Sequence, residues 1–190
     1  WIAALVLCLL LALLACGGDS LRSALRYERL ALIDGQWWRG ITAHFVHLGW
    51  AHAALNMAGV VLCSLLSPNL FAQPRRLAVL LAFEVGGISA GLWLFSPEVG
   101  NYVGFSGVLY GLFVAGLWPQ RRDPYMALAL LVIVMWMAWQ WFGQPLASEE
   151  DMIGGRIVSI AHVYGAVVGA LWLVFEAGRQ RLSQGFSDGS

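Results

Sequence analysis

Val103-Gly104-Phe105-Ser106-Gly107-Val108-Leu109-Tyr110-Gly111 opens an apolar run that ends near Trp118. From Ser106 to Trp118 an α-helix reaches only about 18–20 Å, against a membrane hydrocarbon thickness of about 30 Å. A helix this short and this apolar, starting on a serine between glycines, places a hydroxyl inside a membrane. The free backbone N–H groups of a helix start can also bind an anion there. Gly-x-Ser-Gly alone is weak, because a chain with 22 glycines produces it by accident. The reading needs a membrane setting, a base and an oxyanion site, all at one depth.

The membrane setting follows from composition. Of 190 residues, 59% are hydrophobic and 12% charged, with a mean hydropathy of +0.71, far outside the balance of soluble domains. Six apolar runs predict six spans: Trp1 to Cys16, Trp50 to Leu66, Leu77 to Phe95, Ser106 to Trp118, Tyr125 to Phe142 and Ile157 to Phe175. They lack the alternation of barrel strands, so only helices fit. Prolines 68, 74, 97, 119, 124 and 145 all fall in connections, and no repeat or long linker divides residues 1–190 into more than one domain. Zero net charge gives no case for nucleic acid. Cys8, Cys16 and Cys63 have neither disulfide nor zinc spacing. Leu13-Leu14-Ala15-Cys16-Gly17 resembles a lipoprotein processing box, but no basic region precedes it and five more spans follow. The start at Trp1, without methionine, predicts a few residues missing upstream.

Arginines set the orientation. Arg75 and Arg76, Arg121 and Arg122, and Arg179 and Arg181 follow the even-numbered spans. The alternate loops carry Glu98 and Glu149-Glu150-Asp151 instead. The positive-inside rule then predicts that the even-numbered exits and the C-terminus are cytoplasmic, with the site opening to the outer side. Trp37, Trp50, Trp93, Trp139 and Trp141 are expected as outer interfacial anchors, Trp118 and Trp172 as inner ones. The loop between spans one and two breaks the charge rule with Arg22, Arg26, Arg29 and Arg39. Mixed with Trp37, Trp38 and Phe45, these suggest a loop partly embedded in the membrane or an ordinary amphipathic surface helix.

Depth then pairs the serine with a base. Arg121 and Arg122 pin the lower end of the fourth span, so Ser106 lies roughly 10 Å below the outer surface. The sixth span enters from that side, and His162 comes about five residues in, at roughly 8 Å. Gly107, Gly111 and Ala115 on one span, and Ala161, Gly165 and Gly169 on the other, form small-residue stripes that permit close packing. Packing the stripes places Ser106 beside His162, as nucleophile and general base. A buried histidine bonded only to a backbone carbonyl is the bland alternative. His52 and Asn56, four apart on span two, face one side and can donate to an oxyanion at the same depth; otherwise they are a polar pair holding spans together. No acid completes a triad, since Glu84 sits nearer the inner face and reads as a structural polar contact. Tyr110, one turn below Ser106, can orient the imidazole. His44, His47 and His52 lack a standard metal-ligand spacing, so no metal or other cofactor is expected.

These residues resemble the rhomboid family of intramembrane serine proteases, from roughly Gln36 to Gly169. Trp38-Arg39 matches its Trp-Arg motif, and His47, His52 and Asn56 its His-x4-His-x3-Asn pattern. Gly104-Phe105-Ser106-Gly107 matches Gly-x-Ser-Gly, and Ala161-His162-Val163-Tyr164-Gly165 matches Ala-His-x-x-Gly. The resemblance implies an all-α membrane protein built as a six-span bundle, a Ser106–His162 dyad, an oxyanion hole at His52 and Asn56, and Tyr110 packed on the base. Gln36 stands where many members carry an acid that fixes the first loop. The compact form around Trp37 to His52 is similar to the rhombosortase branch, which implies bacterial substrates with a Gly-Gly, hydrophobic-helix, basic-end tail.

The expected partners are membrane lipids and transmembrane proteins with a helix-unstable or Gly-rich segment. The resemblance also implies lateral entry, with span five as gate and residues 143–155 (Gly143, Pro145, Gly154, Gly155) as cap; Trp136, Trp139, Trp141 and Phe142 suit a lipid-facing gate. A non-catalytic relative that binds membrane clients is the competing class, and a channel or transporter the third.

Overall fold

The computed structural model describes residues 1–143 and 146–187, with side chains up to Arg181; Pro145 of the expected cap lies outside the described residues. The chain begins with α1 (Ile2–Cys16) and α2 (Gly18–Leu25), set at 108° to each other. A first-loop assembly follows: β1 (Tyr27–Glu28), α3 (Arg29–Ile33), α4 (Arg39–Thr42) and a 3-10 turn (Ala43–Phe45). Then come α5 (Trp50–Leu66), α6 (Pro68–Phe71), α7 (Pro74–Phe95) and β2 (Asn101–Tyr102). The chain continues through α8 (Ser106–Leu117), α9 (Pro124–Phe142), α10 (Ala147–Ile153) and α11 (Ser159–Ser187). The only strand pairing among the described residues is the two-residue antiparallel match of Tyr27 with Tyr102 and Glu28 with Asn101.

Among the described residues three helices, Pro74–Phe95, Pro124–Phe142 and Ser159–Arg181, are long and apolar enough to cross a membrane, or up to five if each bent pair is one span. Those pairs are α1 with α2, and residues Arg39–Phe45 with α5, bent by 84°. The remaining apolar run is α8, whose 12 residues reach only about 18 Å. It is apolar on every side, and a helix without a polar face belongs in a core. Val108, Leu112 and Leu117 are fully buried, and α5, α7, α9 and α11 all pack on it. Its widest contact is with α11.

That contact runs along the two small-residue stripes. A Cβ on Gly165 would overlap the Gly107 carbonyl oxygen, and one on Gly169 would lie 2.5 Å from the Gly111 carbonyl oxygen. Backbone therefore meets backbone, and any larger side chain at these positions would hold the helices apart.

The first loop accounts for its own excess of arginine. Arg29 donates to the carbonyls of Leu92 (2.6 Å), Ser96 (2.9 Å) and Trp93 (3.2 Å), placing a cation on the C-terminal end of α7 where the helix dipole favours it. Arg39 donates to Ser23 O at 2.8 Å and to Gln36 Oε1 at 2.7 Å. The contact that Gln36 put in question is thus made through an amide oxygen. Arg26 pairs with Glu28 at 3.0 Å, and Arg22 with Asp19 and the Leu48 carbonyl. All four arginines are paired within the protein, so a count of arginines along the sequence misjudges this loop. Trp172 corrects another expectation. It is only 2% exposed, packed against Phe83 and Phe175, and not an interfacial anchor.

Candidate active site

The turn that delivers Ser106 is fixed from three directions. Gly104 has φ +121°, open to glycine but strained for any other residue. Its N–H donates to Ala43 O at 3.0 Å, and its carbonyl accepts from the Tyr102 hydroxyl at 2.6 Å. A Cβ there would also stand 2.7 Å from the His52 ring. Tyr102 is in turn registered against Tyr27 by the β1–β2 pair. The first loop thus positions the stretch entering α8, and Ser106 opens the helix with the unpaired N–H groups of its first turn nearby.

Ser106 and His162 meet across the α8–α11 contact. Ser106 Oγ lies 2.8 Å from His162 Nε2. The other ring nitrogen, Nδ1, lies 3.0 Å from Gln140 Oε1. Tyr110 packs on the imidazole with ring centroids 4.7 Å apart and planes inclined by 33°, and its hydroxyl donates to the same Gln140 oxygen at 3.4 Å. His162 is buried, so its ring is held on one face and at both nitrogens.

His52 and Asn56 project from α5 into the same cavity as Ser106, Tyr110 and His162, a space of about 410 Å³. Asn56 Nδ2 donates one hydrogen to His52 O at 3.0 Å, within its own helix; an amide carries a second hydrogen. His52 Nδ1 accepts from the Leu48 N–H at 3.4 Å, which leaves the proton of a neutral ring on Nε2, beside Gly104. Both side chains can therefore present a donor. Trp136 of α9 and Glu149 and Met152 of α10 complete the walls. The cap contains a short helix whose end is closed by Gly154 in the left-handed region, φ +84°.

Glu84 departs from its expected part. It is fully buried against Gly111, and neither carboxyl oxygen has a hydrogen-bond partner among the described residues. His44 Nε2 contacts Ser89 Oγ at 2.9 Å, away from the cavity lining. The residue that sequence reasoning missed is Gln140. The signal was available: within Tyr125 to Phe142 it is the only amide or charged side chain.

Comparison with known proteins fits this architecture. Residues 34–179 match the family described as the Rhomboid domain. Rhomboid-like protein 11, chloroplastic, of Arabidopsis thaliana is 27% identical over 150 residues, 73% of this chain and 52% of that protein. Rhomboid protease GluP of Bacillus subtilis is 27% identical over 135 residues, 68% of this chain and 26% of that one. Rhomboid-type serine protease 2 of Emericella nidulans is 27% identical over 139 residues, 66% of this chain and 26% of its own length. The chain spans from about a quarter to about half of the length of these relatives.

Proposed function

The chain belongs to the rhomboid family, whose domain covers residues 34–179, and from that premise we propose that it is a serine endopeptidase that cleaves membrane-anchored proteins within the bilayer. The observation that carries the reading is the 2.8 Å approach of Ser106 Oγ to His162 Nε2, in a cavity shared with two potential oxyanion donors. Ser106 Oγ attacks a substrate backbone carbonyl while His162 Nε2 takes the hydroxyl proton. The negative charge that develops on the carbonyl oxygen is met by the Ser106 N–H, His52 Nε2–H and the free hydrogen of Asn56 Nδ2. Each such donor is worth on the order of 100-fold in rate. Collapse of the tetrahedral intermediate expels the amine, which receives the proton from His162. Water then attacks the acyl ester, giving its proton to the same imidazole, and serine is regenerated.

The proposed setting is one six-span domain in a bacterial inner membrane, with α8 as the short fourth span and the C-terminus cytoplasmic. Its first loop sinks partly into the interface, and the cavity opens toward the periplasm. A peptide bond inside a helix is shielded by its hydrogen bonds, so the substrate segment must unwind readily, which favours glycine and other poor helix formers. Tails of the Gly-Gly, hydrophobic-helix, basic-end kind meet that requirement, in keeping with the rhombosortase resemblance. Labelling with a fluorophosphonate probe tests the chemistry. The wild type should be labelled, and Ser106→Ala and His162→Ala should not; equal labelling of all three removes the enzyme reading.

A further inference from the structure

Gln140 is the only buried residue on α9. The first half of that helix is seated on the core through Met126, Ala129, Leu130 and Ile133. Beyond Ile133 only Met137 and Ala138 are half-buried, outside that core, and the one fully buried contact is the Gln140 amide. The upper half is thus held where Oε1 meets His162 Nδ1 at 3.0 Å and the Tyr110 hydroxyl at 3.4 Å.

We infer that Gln140 is a positioning residue that sets the working tautomer of His162 and makes that setting depend on whether α9 is seated. The inference rests on the proteolytic reading above. An amide oxygen can only accept, so the nitrogen facing it must carry the proton; Nδ1 is then N–H, and the lone pair of Nε2 is turned toward Ser106. Without the acceptor, the neutral ring is free to place its proton on Nε2, where it cannot take one from serine. The same contact links entry to chemistry. Val132, Ile133 and Trp136 of α9 wall the cavity, so a swing of the weakly held upper half opens it sideways. That swing withdraws Oε1 from Nδ1. The base is disarmed while the wall is open and rearmed when α9 closes on a bound segment.

The test uses the full chain in lipid nanodiscs, with 15N-labelled histidine and a transmembrane substrate carrying a Gly-rich segment. In the wild type the His162 resonances should show Nδ1 protonated and Nε2 bare. Gln140→Ala and Gln140→Leu should both lose that fixed tautomer. Their kcat should fall roughly 10–100-fold while KM does not rise, since losing the amide disarms the base and frees the wall together. Gln140→Glu restores an acceptor, so part of kcat should return, and the acid limb of its pH profile should move to higher pH because a carboxylate favours imidazolium. Trp136→Ala should lower KM and kcat together, and adding Gln140→Ala should cost kcat little more, since both act through one contact. Wild-type kcat and pH profile in Gln140→Ala, or a wild-type ring protonated at Nε2, overturns the role of Gln140. Full additivity in the double variant overturns the link to α9. If Ser106→Ala is labelled by the fluorophosphonate as fast as wild type, the protease reading fails, and the ring spectra still decide what Gln140 does.

Discussion

Gly165→Ala adds one methyl group, and the geometry of the α8–α11 seam turns it into a catalytic lesion. The new Cβ overlaps the Gly107 carbonyl oxygen, which is backbone and cannot rotate away. Carbon and carbonyl oxygen settle at about 3.3 Å or beyond. At Gly169 the equivalent Cβ would lie 2.5 Å from the Gly111 oxygen, a shortfall of about 0.8 Å. The overlap at Gly165 is deeper, so the helices must part there by on the order of 1 Å. His162 is one turn away on the same helix and moves with it. An added ångström takes the 2.8 Å contact between Ser106 Oγ and His162 Nε2 past the limit of a hydrogen bond. A displacement of that size at a reacting pair costs on the order of 100-fold in rate, and the overpacking costs about 1–3 kcal/mol of stability. Initial rates on a transmembrane substrate, fluorophosphonate labelling rates and an unfolding midpoint measure the three effects. Gly178→Ala is the control, because nothing lies within 4 Å of that position on the same helix. A folded Gly165→Ala that is labelled at the wild-type rate would refute the coupling of stripe packing to dyad geometry.

Gly104→Ala should lose most activity, since it combines a strained φ of +121° with a Cβ 2.7 Å from the His52 ring; a labelling rate within twofold of wild type would contradict that. Arg29→Ala should lower the unfolding free energy by about 2 kcal/mol, because three carbonyls at the end of α7 lose a charged donor. Arg29→Lys should recover only part of it, since an ammonium cannot fork across all three. Phe142→Ala should lower the KM and kcat of a transmembrane substrate together and slow fluorophosphonate labelling, because freeing the exposed top of α9 opens the wall and withdraws Gln140 at once. An unchanged KM would place entry elsewhere.

Much of this site was legible because depth and spacing are both linear in the sequence. Ser106 stands one residue before Gly107 and His162 one residue after Ala161, each beside the top of its stripe, so aligning the stripes aligned the side chains. The all-round apolarity of α8 likewise identified a helix with no face for water or headgroups. Two contacts that escaped share one cause: they join segments far apart in sequence through backbone atoms. Arg29 reaches carbonyls 63 to 67 residues away, and Tyr27 registers on Tyr102 through two residues of strand. Neither leaves a periodic trace. Trp172 was misplaced because an interfacial tryptophan and a core tryptophan look the same in one sequence, and only the neighbouring Phe83 and Phe175 separate them.

Gln140 was overlooked for a different reason, and it bears on how the site is built. Span five was read for its bulk, as a lipid-facing helix of Trp136, Trp139, Trp141 and Phe142, and that description holds for most of its surface. A buried amide on such a helix is costly unless it is hydrogen-bonded, because hydrocarbon offers no substitute partner. Its presence therefore required a polar group at the same depth on the neighbouring helices. The candidates were few: Tyr110 on α8 and His162 on α11, which are the two groups it meets. The same cost also argues against Gln140 as a passive glue residue. A packing contact at this position would be served equally by leucine, without the risk of stranding a donor and an acceptor whenever α9 moves. An amide that is paired with α9 seated and stranded with it displaced favours closure, and it does so through the nitrogen that decides whether His162 can act as a base.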